Sequence, residues 1–154
     1  MEQDNTEKVH EFLAHHHVGV LSTTSSDGQP WGSAIIFATD ENLNFYFMTR
    51  ADTLKYQNIA SNPKVAITIT DESQQITVQA SGTVKPVEAE DIMDVVFHKL
   101  DKLKPQGTTK WIAPVYKVHE GDYMILHFTP TKLQYADFTQ TEVDAQSSDI
   151  EQII

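Results

Sequence analysis

The run Asn44-Phe-Tyr-Phe-Met-Thr49, then Arg50 to Lys55, then Asn62-Pro63, holds the residues with the clearest chemical capacity. An apolar strand ends in a threonine. A short turn follows, and Thr53 stands where a helix N-cap is expected. Lys55 comes two residues later. A hydroxyl, a lysine and the free N–H groups of a helix start form a receptor for a phosphate monoester. The plainer reading of the same spacing is a capped helix with an exposed lysine. Neither GxGxxG nor GxxxxGK followed by Ser or Thr occurs, so the usual loop-borne phosphate sites are absent.

Other candidate chemistry is weaker. His15-His16-His17 invites a metal reading, but neighbouring residues on a strand point to opposite faces and those on a helix do not converge. The expectation is therefore no metal. The chain has no cysteine, which removes disulfides, thiolate metal sites and cysteine nucleophiles together. No Ser/His/Asp motif stands out. Trp31 and Trp111 are expected in a core or interface before a cofactor stack, and His98 at a surface or interface.

The elements that must position the Thr-Lys corner come next. A chain of 154 residues with an apolar fraction of 40% is expected to form one domain with a real core. No apolar run reaches spanning length, and Met1 to Glu7 is polar and acidic, unlike a signal peptide. A cytoplasmic protein fits. The net charge of −11 disfavours nucleic acid and anionic membrane as partners. Any anion site then depends on local cations and backbone dipoles.

The pattern predicts a helix over Thr6 to Ala14, with Val9, Phe12 and Leu13 on one face. Strands follow over His17 to Thr23, Trp31 to Thr39 and Leu43 to Thr49, joined by turns at Ser25-Ser-Asp-Gly28 and Asp40-Glu-Asn42. A helix over Thr53 to Ser61 is stopped by Asn62-Pro63. Strands are predicted over Lys64 to Thr70 and Gln75 to Val87, with Gly82 a bulge. Glu88 to Leu103 reads as a helix, and Lys104 to Pro114 as a loop. Tyr123 to Phe128 and Lys132 to Ala136 are strands with Thr129-Pro130-Thr131 interrupting. Residues 139–154 read as an acidic flexible tail behind a domain of residues 1–138. The sum is a mainly β fold with flanking helices: a six- or seven-stranded antiparallel barrel.

In this order the pieces resemble the pyridoxamine 5′-phosphate oxidase family of FMN-binding split barrels, in particular its small members similar to general stress proteins. Val18-Gly-Val-Leu-Ser-Thr23 resembles the first strand, and Asp27-Gly-Gln-Pro30 the first hairpin. Asn44 to Thr49 resembles the third strand, and Thr53-Leu-Lys55 the phosphate corner. Asn62-Pro-Lys-Val-Ala-Ile67, Ser81-Gly82 and Thr129-Pro130 match later landmarks. The resemblance implies FMN as cofactor and contacts from Ser33, Ala34, Ile35, Ile36, Met48, Thr49, Thr53, Leu54, Lys55 and Thr77. Gln75 and Gln79 would share the face of Thr77 if that strand is regular. It also implies a homodimer with the flavin at the subunit interface, and a small-molecule electron donor or substrate. Ser33 and Leu54 stand where the oxidases have arginines, which removes bidentate phosphate recognition there. The implied function is a flavin-dependent oxidoreductase other than pyridoxamine phosphate oxidase itself. The alternatives are a non-catalytic flavin-binding, redox-sensing or stress-related module, or a barrel for haem or a deazaflavin.

Overall fold

The structure, a computed structural model, describes residues 2–87, 98–99, 123–139 and 150–154. Its elements are α1 (Glu2–His15), β1 (Val18–Thr24), β2 (Pro30–Thr39), β3 (Phe45–Arg50), α2 (Leu54–Ser61), β4 (Lys64–Asp71), β5 (Ile76–Pro86), β6 (Tyr123–Asp137) and β7 (Ile150–Gln152). All the strand pairs are antiparallel, in the order β3-β2-β1-β4-β5-β6-β7. A further pairing of β3 with β6 closes the first six strands into a barrel. The expected helix Glu88 to Leu103 and Trp111 lie outside the described residues, except that His98 and Lys99 are helical.

Alternation along each strand builds the core. β3 turns Phe45 and Phe47 inward, β2 turns Ile35 and Phe37, and β4 turns Ile67 and Ile69. Phe45 packs edge-on to Phe128 at 5.5 Å and tilted against Phe37 at 5.2 Å, geometries that suit the aromatic quadrupole. α1 adds Val9, Phe12 and Leu13 to this core, the three residues its periodicity marked. Among the described residues, no helix is long and apolar enough to cross a membrane.

The three histidines diverge. His15 Nδ1 lies 2.9 Å from the Glu11 carbonyl. His16 places Nδ1 2.7 Å from the Phe12 carbonyl and Nε2 2.7 Å from the Asp71 carboxylate. It thereby fastens the end of α1 to the β4–β5 turn. The His17 carbonyl accepts from the Phe37 N–H.

Three boundaries differ from expectation for local reasons. The third strand starts at Phe45, not Leu43. The Asp40 carboxylate accepts from the N–H groups of Asn42 and Asn44, and the turn so formed holds Leu43 at φ 60°. The predicted interruption at Thr129-Pro130-Thr131 does not occur: β6 runs unbroken for 15 residues. A bulge absorbs the proline, because Ser81 pairs with Lys132 and Gly82 with Pro130, leaving Thr131 as the extra residue. Gly82 marks the bulge as predicted, but the added residue is on the facing strand. Within residues 139–154, Ile150–Gln152 forms β7 on β6, and Ile153 packs against the core. Isoleucines at 150, 153 and 154 give that segment apolar surface to bury. Trp31 is 50% exposed at the start of β2, outside the core of a single chain.

Candidate functional site

β2 and β3 pair only over Phe37–Thr39 and Phe45–Phe47. Past that point they part. β3 continues through Met48, Thr49 and Arg50 with β6 as its partner, and β2 continues through Ile36 to Pro30 with β1 as its partner. The facing edges thus form a split. Ser33, Ala34, Ile35 and Ile36 lie on one lip, and Met48 and Thr49 on the other. Along the β2 lip Ile35 is buried, Ser33 and Ile36 are half-buried and Ala34 is exposed. Met48 packs with Ala38 and Ile125 on the outer side of the barrel.

The β3 lip leads into the Thr-Lys corner. Thr49 is inward-facing and buried, its hydroxyl 3.0 Å from that of Thr53. Thr53 donates to the Arg50 carbonyl at 2.9 Å, and the Thr49 hydroxyl lies 3.3 Å from the same carbonyl. As expected, Thr53 is the N-cap of α2, in extended backbone, with its oxygen accepting from the Tyr56 N–H at 3.4 Å. Its carbonyl accepts from Gln57 N–H. The N–H groups of Leu54 and Lys55, at the first turn, have no intrahelical acceptor. The helix is fixed in place by Asn58, which is buried and donates its amide to the Thr23 hydroxyl at 3.0 Å, and by buried Ile59.

The hydroxyls are therefore engaged within the corner, and the groups left for an anion are the first-turn N–H groups and Lys55. Lys55 is partly buried. Desolvation by that burial holds its pKa below the ordinary lysine value, and no carboxylate among the described residues offsets the effect. A half-buried ammonium without a counter-charge is a site where an anion gains and the protein loses nothing. Leu54 is 45% exposed and adds no charge.

Arg50 ends β3 with its side chain on the same face as Met48. Its Nε and Nη2 donate to the two oxygens of Asp52 at 2.9 and 2.6 Å. That fork holds the Asp52 carboxyl below its usual pKa. The sequence showed both residues but not their pairing; an aspartate two positions after the arginine was the available signal. The parting of β2 and β3 was equally hidden, since nothing in strand composition says where a ladder ends.

Thr77 lies apart from this site within one chain. It is on β5, separated from β2 by β4 and β1, and its hydroxyl is 3.0 Å from that of Thr70. Gln79, two residues on, shares its face as expected, whereas Gln75 sits before the strand at φ 55°.

A closed antiparallel barrel with one split between strands and a cationic helix start at its end defines a class of small split-barrel proteins. The chain belongs to the pyridoxamine 5′-phosphate oxidase family, whose pattern matches residues 5–137. It is 41% identical over 49 residues to the pyridoxine/pyridoxamine 5′-phosphate oxidase of Alcanivorax borkumensis, covering 32% of this chain and 23% of that protein. It is 29% identical over 82 residues to the oxidase of Colwellia psychrerythraea, covering 53% and 37%. These matches span well under half of either relative's length. Among solved structures, a putative pyridoxamine 5′-phosphate oxidase from Listeria innocua is similar at TM-score 0.65 and 21% identity, covering 83% of this chain and 94% of that one. An FMN-binding protein related to the oxidases from Nostoc punctiforme is similar at TM-score 0.61 and 12% identity, covering 98% and 94%. A haem-binding protein from Mycobacterium smegmatis is similar at TM-score 0.68 and 16% identity, covering 90% and 53%. At these identities the likeness concerns the fold.

Proposed function

We propose that the chain binds FMN across the split between β2 and β3, with the phosphate at the Thr53–Lys55 corner, and works as a flavin-dependent oxidoreductase on a small molecule. The observation that carries this reading is the split itself. Among the described residues, two strand edges without strand partners on the facing sides lie across the split, and a partly buried Lys55 without a described counter-charge stands where the lip ends. The donor set fits the cofactor. Lys55 and the N–H groups of Leu54 and Lys55 would hold the phosphate. The open backbone edge of Ser33 to Ile36 would hydrogen-bond the polar rim of the ring, and Met48 would pack on it. Bound FMN would supply the electron-transfer chemistry. The chain's part is to orient the ring, neutralise the phosphate and exclude water.

A homodimer belongs to this proposal. Val18 and Val20 on β1 are 52% and 47% exposed, beside exposed Ala34 on β2. A second copy over that face would bury the strip and close the flavin against solvent.

Purified protein tests the reading. A yellow preparation, or a colourless one that takes up added FMN with quenching of its fluorescence, is the expected result. Protein that is colourless and fails to bind added FMN refutes it. Stopped-flow reduction by NADH or NADPH then separates an enzyme from a flavin-storing module.

One observation favours haem as a second reading. Nε2 of His127 is buried without a hydrogen-bond partner among the described residues, and burial holds that imidazole below its usual pKa, in the neutral form that binds metals. An intense Soret band on adding haemin, lost in His127→Ala, would favour haem over FMN.

A further inference from the structure

We propose that the joint between α1 and β1 is an acid-sensitive hinge: protonation of His17 frees α1 from a barrel that stays closed. The joint is two residues long, His16 and His17, and each is tied to a different strand. His16 Nε2 meets the carboxylate of Asp71 at the end of β4, and the His17 carbonyl accepts from the Phe37 N–H of β2 at 2.9 Å. α1 also places Val9, Phe12 and Leu13 in the core. The barrel closes through its own ladders, including that of β3 with β6, so release of α1 leaves them intact. A single helix on such a sheet is the kind of unit that opens below the free energy of global unfolding.

The His17 side chain is where acid acts. It is half-buried and lines a cavity of about 490 Å³. Among the described residues, His10 from α1, Asp40 and Glu41 from the turn between β2 and β3, and Lys99 share that cavity, with His15 and His16 beside it in the chain. No hydrogen bond from the described residues holds the ring, so a proton placed there gains no acceptor. The Asp40 carboxylate already accepts from the N–H groups of Asn42 and Asn44, the Asn44 amide and the Tyr46 hydroxyl. Glu41 is exposed. Burial, then the positive charge of His16 and His15, holds the His17 pKa below the ordinary 6.5. The opened joint therefore binds the proton more tightly than the closed one. Stability of the joint is full above 6.5 and is lost as pH falls through that value toward the folded one. Asp71 stays ionised throughout this window, its own pKa being held well below 3.8.

Hydrogen exchange on the full chain, expressed as protection factors between about pH 7.5 and about pH 5, tests this. The Phe37 amide, bonded to the His17 carbonyl, and the amides of α1 should lose about three- to tenfold in protection, the size expected for a half-buried imidazole. Amides of the β4–β5 ladder should hold theirs. His17→Gln, which takes up no proton, should abolish the loss. His15→Gln, at an exposed side chain, removes one repelling charge and should reduce it. Wild-type protection that is flat at Phe37 and in α1 over this range overturns the inference. So does a loss that persists undiminished in His17→Gln, or a β4–β5 ladder that loses protection in step, since acid would then be unfolding the whole barrel. Should His17→Gln fail to fold, an undiminished loss in His15→Gln overturns it.

Discussion

Lys55→Met separates binding from stability, because the two should move in opposite directions. The ammonium is partly buried with no carboxylate partner among the described residues, and its pKa is depressed by desolvation. The folded pKa lies below the unfolded value of 10.5. The cost of the buried charge is therefore present at all pH values below the folded pKa, and is relieved as pH rises through it. Methionine keeps the stem and drops the charge. Unfolding of the variant without ligand should match wild type or exceed it, within about 0.5 kcal/mol for a half-exposed site. Binding should suffer. A charge-assisted bond to phosphate contributes about 1.5–3 kcal/mol, which the exposed part of the side chain places at the lower end, roughly 10- to 50-fold in Kd. Riboflavin should bind both proteins alike. The phosphate also restores the lysine's pKa, so wild-type FMN affinity should fall as pH climbs through the depressed value, and the variant should lack that alkaline limb. Fluorescence titration over pH reads both. An FMN Kd unchanged by the substitution, or a loss shared equally by riboflavin, would refute the phosphate corner.

Three further outcomes are expected. Leu54→Arg restores an arginine at the first helical position on an exposed site, and should tighten FMN about three- to tenfold with little change in melting temperature; an unchanged Kd would mean the phosphate does not reach the first turn of α2. Gly82→Ala would place a Cβ 2.0 Å from the Thr129 carbonyl oxygen and 2.8 Å from the Pro130 Cα, backbone atoms that cannot yield singly. It should cost roughly 3 kcal/mol and lower the midpoint by about 5–10 °C, with a smaller drop refuting the tight bulge. Asp71 is held as a carboxylate, its pKa well below the ordinary 3.8, by the Ser73 hydroxyl and then by His16. A depressed folded pKa contributes stability above the unfolded value and loses it as pH falls, so the acid limb of hydrogen-exchange protection in α1 should flatten in Asp71→Asn, and superimposable limbs would exclude the His16 clasp.

The barrel was legible because each strand carries its own evidence. Period-two alternation in Val18 to Thr24, the Asp-Gly turn before Pro30 and the proline after Asn62 each act locally and agree with one another. Thr53 as N-cap was legible for the same reason: capping is a property of a few consecutive residues. What failed to show depends on partners distant in sequence. Leu43 reads as a strand residue until the Asp40 carboxylate is seen to organise the turn beneath it. Pro130 reads as a break until Gly82 on the facing strand is seen to accommodate it. Ile150 to Ile154 reads as tail because most of the segment before it is polar, yet three isoleucines suffice to add a short strand.

The candidate site follows the same division, and this bears on what occupies it. Thr53 and Lys55 were visible as types and spacing. The split was not, because it arises where β3 keeps its ladder with β6 to its last residue while its ladder with β2 stops at Phe47. That arrangement leaves the β2 edge from Ile36 toward Pro30 without a strand partner on that side among the described residues. Unpaired strand edges are a liability that folded chains cover, twist away or load with charge. Among the described residues this edge bears none of those devices: Ser33, Ala34, Ile35 and Ile36 are uncharged and regular, beside two exposed valines. In the reading proposed above, a flat, hydrogen-bonding ring anchored by its phosphate at Lys55, and a second copy of the chain over Val18 and Val20, would together satisfy the edge. Either alone would leave part of it bare. On the proposed reading the dimer and the cofactor would meet one physical requirement, and conditions that strip FMN should also weaken self-association.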